Sequence, residues 1–121
     1  MEQKMESQPG RPADAGQEEA DWDRRCREWK LRGWDIRYIL TRSGYTVREL
    51  AEHMRCYGTR ITTIRSVYRL MTRDKVSTRY ADVLEDLIGK KHYLLLVKEV
   101  IKRYEERIRQ QEERRKALGG Q

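Results

Sequence analysis

TVRELAEHMRCYGTRITTIRSVYRLM, residues 46–71, is the stretch from which the rest of the chain is read. Thr46 and Glu49 stand at the spacing of a capping box, in which the threonine oxygen takes an orphan amide of the first turn while the glutamate reaches back to the cap. A helix is therefore expected to start at Thr46. Val47, Leu50, Ala51 and Met54 fall on one side of it at three- and four-residue steps, with Arg48, Glu49, Glu52, His53 and Arg55 around the rest. Ala51 is small where a second helix crosses closely. Cys56-Tyr57-Gly58 signals a turn by its glycine. Ile61, Ile64, Val67 (or Tyr68) and Met71 then repeat at helical spacing, which predicts a second helix and turns Thr62, Thr63, Arg65, Ser66 and Arg69 outward on a face without an acid.

That combination of groups suits a helix lying in the major groove of DNA. Arginine forks pair bidentate with guanine acceptors, and threonine or serine touches a base edge or the thymine methyl. Thr62, Thr63, Arg65, Ser66 and Arg69 are thus the expected base contacts, within a helix-turn-helix spanning 46–72. Arg48, Arg60, Arg73, Lys75 and Arg79 are the expected phosphate contacts, which fix position without reading sequence. From Thr59 to Tyr80 there are six Arg or Lys against one acid, Asp74. An arbitrary arginine-rich helix is more simply a solvated surface. Here the capped helix before it, the glycine turn, and the absence of balancing acids at i+4 favour a nucleic-acid contact.

The composition agrees with a small helical binding module. The 121 residues allow one domain plus tails, and 37% hydrophobic against 39% charged residues, with no Phe and two Pro, favours an all-α fold. A net charge of +7 and a pI near 9.6 point to a polyanionic partner, nucleic acid or an anionic membrane surface. No apolar run approaches membrane-spanning length, and MEQKMESQPG lacks the apolar stretch of a signal peptide. The expected location is therefore the cytoplasm, at the bacterial nucleoid. Cys26 and Cys56 cannot form a disulfide framework and are expected reduced, Cys26 in the core. A zinc site from Cys26, His53, Cys56 and His92 lacks any paired C-x-x-C and is not expected.

Outward from the central stretch, residues 1–20 carry two basic against five acidic side chains with almost nothing to bury, and are expected to be a disordered acidic tail. Trp22, Cys26 and Trp29 recur at helical steps, predicting an amphipathic helix from about Ala20 to Arg32. Gly33 is expected to break or bend it. Asp35 to Arg42 places Ile36, Ile39 and Leu40 on one side, and Ser43-Gly44 supplies the stop. Ser77 is a candidate cap for a helix in which Tyr80, Val83, Leu84, Leu87 and Ile88 keep helical spacing up to Gly89. The DNA-binding domain is thus expected over 21–89, as a compact helix-turn-helix bundle with an extra N-terminal helix.

Trp34-Asp35-Ile36, Ser43-Gly44-Tyr45-Thr46 leading into Leu50-Ala51, and Tyr80-Ala81-Asp82 with Leu84 and Leu87-Ile88-Gly89 resemble small phage regulators of the Ner type and, more widely, lambda-repressor-like helix-turn-helix domains. The resemblance covers Trp34 to Gly89, roughly half the chain, and implies a transcriptional regulator of phage or mobile-element kind, acting by repression. The chain departs from the family in the turn. Members usually place a glycine about four residues after the alanine matching Ala51; here that position is Arg55 and the glycine is Gly58, so the turn is about three residues longer.

From Lys90, Leu94, Val97, Ile101, Tyr104 and Ile108 alternate by three and four residues, the spacing of a coiled-coil seam, within a long helix expected over 90–118. These five residues are the expected dimerisation contacts, with cover for Trp22 and Trp29 inside one subunit as the competing use. Gln111 ends the seam early. A homodimer on a short palindrome is expected, because a twofold pair reads two half-sites. An RNA-binding or ribosome-associated helical protein draws on the same charge and on Gly119-Gly120-Gln121, a tripeptide that resembles the peptide-releasing motif of release factors but stands at the end of this chain. A protein-interaction module is the third reading. No enzyme, cofactor, metal or small-molecule effector is expected: there is no glycine-rich phosphate loop, and neither histidine sits in a catalytic motif.

Overall fold

A computed structural model describes the backbone of residues 11–119 and the side chains of residues 16–119; within it the periodic stretches become six helices, with no strand among the described residues. They are α1 (Arg11–Glu28), α2 (Gly33–Ser43), α3 (Val47–Cys56), α4 (Ile64–Leu70), α5 (Thr78–Ile88) and the long α6 (Lys90–Gly119). The all-α expectation, with an added amino-terminal helix and a long carboxyl-terminal one, is met. Every helix lends side chains to one core: Cys26 from α1, Ile36 and Ile39 from α2, Leu50 and Met54 from α3, Val67 and Leu70 from α4, Val83 and Leu84 from α5, Val97 and Ile101 from α6.

The local signals that placed α2, α3 and α5 act as expected. Thr46 Oγ1 accepts from the Glu49 amide at 3.1 Å while the Glu49 carboxylate accepts from the Thr46 amide at 2.8 Å. Gly44 closes α2 in the left-handed conformation at φ 86°, a backbone state glycine adopts at no steric cost. Ser77 Oγ takes the Arg79 amide at the start of α5.

Helix α1 differs from expectation at both ends. Its helical backbone reaches back to Arg11, so residues 11–20, expected as part of a disordered tail, are helical; residues 1–10 lie outside the described residues. The reason is local: Ala13, Ala15, Gln17, Glu18, Glu19 and Ala20 are good helix formers, and Pro12 is tolerated in a first turn. The carboxyl end falls at Glu28 rather than Arg32, because the chain turns there to bury Leu31 and to begin α2.

Gly33 is the first residue of α2, not a break in a longer helix. A Cβ built on it would meet the Met71 carbonyl carbon at 2.4 Å and the Leu70 oxygen at 2.5 Å, and its amide donates to the Arg73 carbonyl at 2.8 Å. Here glycine allows backbone to touch backbone, holding the start of α2 against the end of α4. Next to this contact Asp35 is buried, accepting from the Arg32 amide at 3.0 Å and pairing with the Arg32 guanidinium at 3.3 Å, so its charge is both paired and hydrogen-bonded.

Candidate nucleic-acid interface

The segment between α3 and α4 is seven residues of non-helical chain, 57–63, and it is built rather than loose. Gly58 takes φ 72° and donates its amide to the Arg55 carbonyl at 3.0 Å. Thr59, buried, donates its hydroxyl to the Met54 carbonyl at 3.0 Å and accepts the Ile61 amide at 3.2 Å, which plugs the end of α3. From the far side, Arg79 Nη2 donates to the Tyr57 carbonyl at 2.7 Å. Ile61 is buried as expected, but from this non-helical link and not from a helix.

Helix α4 therefore starts three residues later than the spacing of Ile61 predicts, and Thr63 is its cap. Thr63 Oγ1 accepts from the Ser66 amide at 3.1 Å, Ser66 Oγ accepts from the Thr63 amide at 2.9 Å, and Ser66 Oγ donates to the Thr63 carbonyl at 2.8 Å. Serine here does the work a glutamate does at α3. This corrects the expected face: the hydroxyls of Thr63 and Ser66 are turned to their own helix, and Ser66 is half-buried. Thr62, Arg65 and Arg69 are exposed, as expected.

Tyr68 joins them. Val67 is fully buried, leaving Tyr68 54% exposed one turn from Arg65 and beside Arg69. Reading Val67 or Tyr68 as the inward residue left this open, and the 3.6-residue geometry allows only one of two neighbours to face the core. The missed signal was Arg65-x-x-Tyr68-Arg69, which places three large side chains on one face. Of the expected phosphate contacts, Arg48, Arg60, Arg73 and Lys75 are exposed; Arg79, also exposed, has one nitrogen committed to the turn.

Electrostatically this face is cationic and carries no ion pair among the described residues. The ion pairs among the described residues join Arg24 to Asp21, Arg25 to Glu105, Arg27 to Glu85, Arg32 to Asp35, Arg42 to Glu99, Arg109 to Glu106 and His53 to Asp86. None of the six cations from Arg60 to Arg79 has an acid partner among the described residues, and neither has Arg48. His53 Nε2 lies 2.7 Å from Asp86, tying α3 to α5, and that contact, helped by the Tyr57 hydroxyl, holds the Asp86 carboxyl below its ordinary range. The surrounding charges thus stiffen the helix pair while leaving its outer face cationic.

The seam of α6 is used within the subunit over its first half. Leu94, Val97 and Ile101 are buried in the shared core, and Tyr104 meets Trp29 edge-on at 5.4 Å between centroids. This corrects the expected dimerisation set: Leu94, Val97 and Ile101 are used inside the subunit, Tyr104 is half-buried, and Ile108, 37% exposed, lies in a stretch from Glu105 to Gly119 that is exposed throughout. Trp22 is covered by the same helix, with Lys98 and Lys102 nitrogens 5.0 and 5.5 Å from its ring centroid. Cys26 is buried with its thiol directed at the Leu94 carbonyl, and burial pushes that thiol up from its ordinary value. Among the described residues no three His, Cys, Asp or Glu side chains come together, and no helix is long and apolar enough to cross a membrane. No family model, no curated protein and no solved structure matches this chain.

Proposed function

We propose that this chain is a sequence-specific double-stranded DNA-binding transcriptional regulator, a repressor acting as a homodimer, with α4 as the helix that enters the major groove. What carries the reading is the free charge: Arg65 and Arg69 project from a short helix packed on α3 and met at its end by Gly33 of α2, with no acid partner among the described residues. Thr62, Arg65, Tyr68 and Arg69 meet base edges. Arg48, Arg60, Arg73 and Lys75 meet phosphates on either side. Burying a guanidinium against a guanine costs less when no salt bridge must first be broken, and a bidentate pair discriminates by about 1–3 kcal/mol against the wrong base.

The resemblance of Trp34 to Gly89 to Ner-type and lambda-repressor-like regulators supports repression as the direction of control. The longer segment 57–63 sets the entry angle of α4, and its internal hydrogen bonds favour one fixed angle over a floppy one. Two copies pair through the distal part of α6, where Ile108 is the exposed member of the seam. The duplex is preferred to RNA because the deep, narrow major groove of A-form RNA does not admit a helix.

The deciding experiment is selection of random duplexes by the purified protein, followed by sequencing and titration of the recovered site against a scrambled duplex and a structured RNA. The expected result is one enriched motif, preferred over scrambled duplex and RNA, with affinity falling steeply as salt rises. Equal affinity for all duplexes, or tighter binding of the RNA, overturns the proposal.

A further inference from the structure

We infer that the edge where α2 runs beside α6 is a second phosphate-binding surface, which carries the DNA backbone onward from the base pairs read by α4. The inference rests on the DNA reading above and extends the footprint to a helix outside the region that resembles known regulators.

The two helices lie antiparallel, and their contacts form a ladder one turn apart. Arg42 pairs with Glu99 at 3.4 Å on the first rung, where Glu99 also accepts the Tyr38 hydroxyl at 2.8 Å. On the second, the Arg103 guanidinium lies 4.4 Å over the Tyr38 ring. On the third, Arg107 and Trp34 line one cleft of about 210 Å³ together with Arg32, Tyr38, Arg103 and Asp35, whose carboxylate is paired with Arg32. Between α2 and α6, acid pairing therefore stops at the first rung. Neither Arg103 nor Arg107 has an acid partner among the described residues; the nearby carboxylates are engaged elsewhere, Asp35 by Arg32 and Glu106 by Arg109.

The open end of this ladder is joined to the reading helix. Gly33, next to Trp34, donates to the Arg73 carbonyl just beyond α4. That backbone contact sets the exposed Trp34, with Arg103 and Arg107 beside it in the same cleft, next to the chain that leaves α4. The chemistry fits a sugar–phosphate backbone. Guanidiniums one helical turn apart, about 6 Å along the axis, fall within reach of neighbouring phosphates on one strand. The exposed indole of Trp34, already flanked by the Arg32 guanidinium at 4.9 Å, offers an apolar face to the deoxyribose.

The test compares the full chain on two duplexes carrying the selected site, one spanning the site alone and one longer by about one helical turn, roughly 10 bp, at each end. The expected result is a salt dependence steeper on the long duplex by about 1.8 in log–log slope, from about 0.9 per phosphate contact. The double variant Arg103→Ala, Arg107→Ala removes that difference and leaves the short duplex bound as before, while Arg103→Lys with Arg107→Lys keeps it. Equal slopes on both duplexes, or a difference that survives the double alanine variant, overturns the inference while the DNA reading stands. Absence of any duplex preference in the unaltered protein overturns both.

Discussion

Two segments of this chain carry the same excess of positive charge and hold it in different surroundings. Residues 59–80 hold six basic and one acidic side chain, and α6 holds ten basic and five acidic, so each is +5. On α6 the acids Glu105 and Glu99 go to Arg25 and Arg42 of other helices, Arg109 pairs with Glu106, and Lys98 and Lys102 sit over Trp22, while Arg103 and Arg107 keep no acid partner among the described residues. On 59–80 no acid answers the cations among the described residues. Net charge is therefore a poor guide to a polyanion site, because the quantity that matters is how much of the charge is already engaged.

The largest effect expected from that difference is on DNA binding by the reading helix. Arg65→Ala with Arg69→Ala should cost roughly 2–6 kcal/mol of binding to the selected site, at about 1–3 kcal/mol for each lost base contact. Fluorescence anisotropy reads the loss, and unchanged thermal unfolding confirms that both arginines are surface groups. Full affinity in this variant breaks the comparison at its root.

Next is the contact that aims the helix. Gly33→Ala places a methyl group against the carbonyl of Met71, where backbone rather than a flexible side chain must give way, so about 1–3 kcal/mol of stability is expected to be lost. Chemical denaturation measures it. A neutral result would mean that α2 and α4 are not held in backbone contact. Thr63→Ala should follow at about 0.5–2 kcal/mol, since it removes the side-chain oxygen that caps α4. Its binding loss should track its stability loss, in contrast to the arginine variant.

The paired region gives smaller effects. Arg25→Ala with Arg27→Ala, which breaks the pairs to Glu105 and Glu85, should change stability by at most about 1 kcal/mol per pair and leave site affinity within a few-fold. A large loss of sequence preference here would show that the engaged cations also read DNA. The smallest effect is on acid stability. The Tyr38 hydroxyl and then Arg42 hold the Glu99 carboxyl below its ordinary 4.5, so its contribution is complete above that value and disappears as pH falls through the lowered one. Glu99→Gln should flatten the fall in stability on acidification in that window, as followed by helical circular dichroism.

How far these features were legible in the chain depends on the range of the interaction behind each. The cap at Thr46, the stop at Gly44, the inward faces of α3 and α5, and the burial of Cys26 follow from residues a few positions apart, and all are observed. The start of α4 was misplaced because Ile61 keeps helical spacing by coincidence while it is buried from a non-helical link that Thr59 holds by hydrogen bonds. Thr63 and Ser66 looked like free hydroxyls because a capping box is usually sought with Glu or Gln at its third position. The seam of α6 could not be assigned from spacing, since an apolar stripe has the same period whether it covers its own subunit or a second one.

Spacing, caps and composition were enough to make this chain all-helical, to set most helix faces, and to concentrate unbalanced arginines around α4, because those properties depend on neighbours within about a turn. Folding contributed what no window of sequence contains: α6 turned its first half onto α1 and α2, Gly33 met Met71 across nearly forty residues, and acids of α6 reached Arg25 and Arg42 while none reached the cations around α4 among the described residues. The physical reason is that pairing and close approach are properties of distance in space, and residues far apart in the chain acquire that distance only when the core has formed.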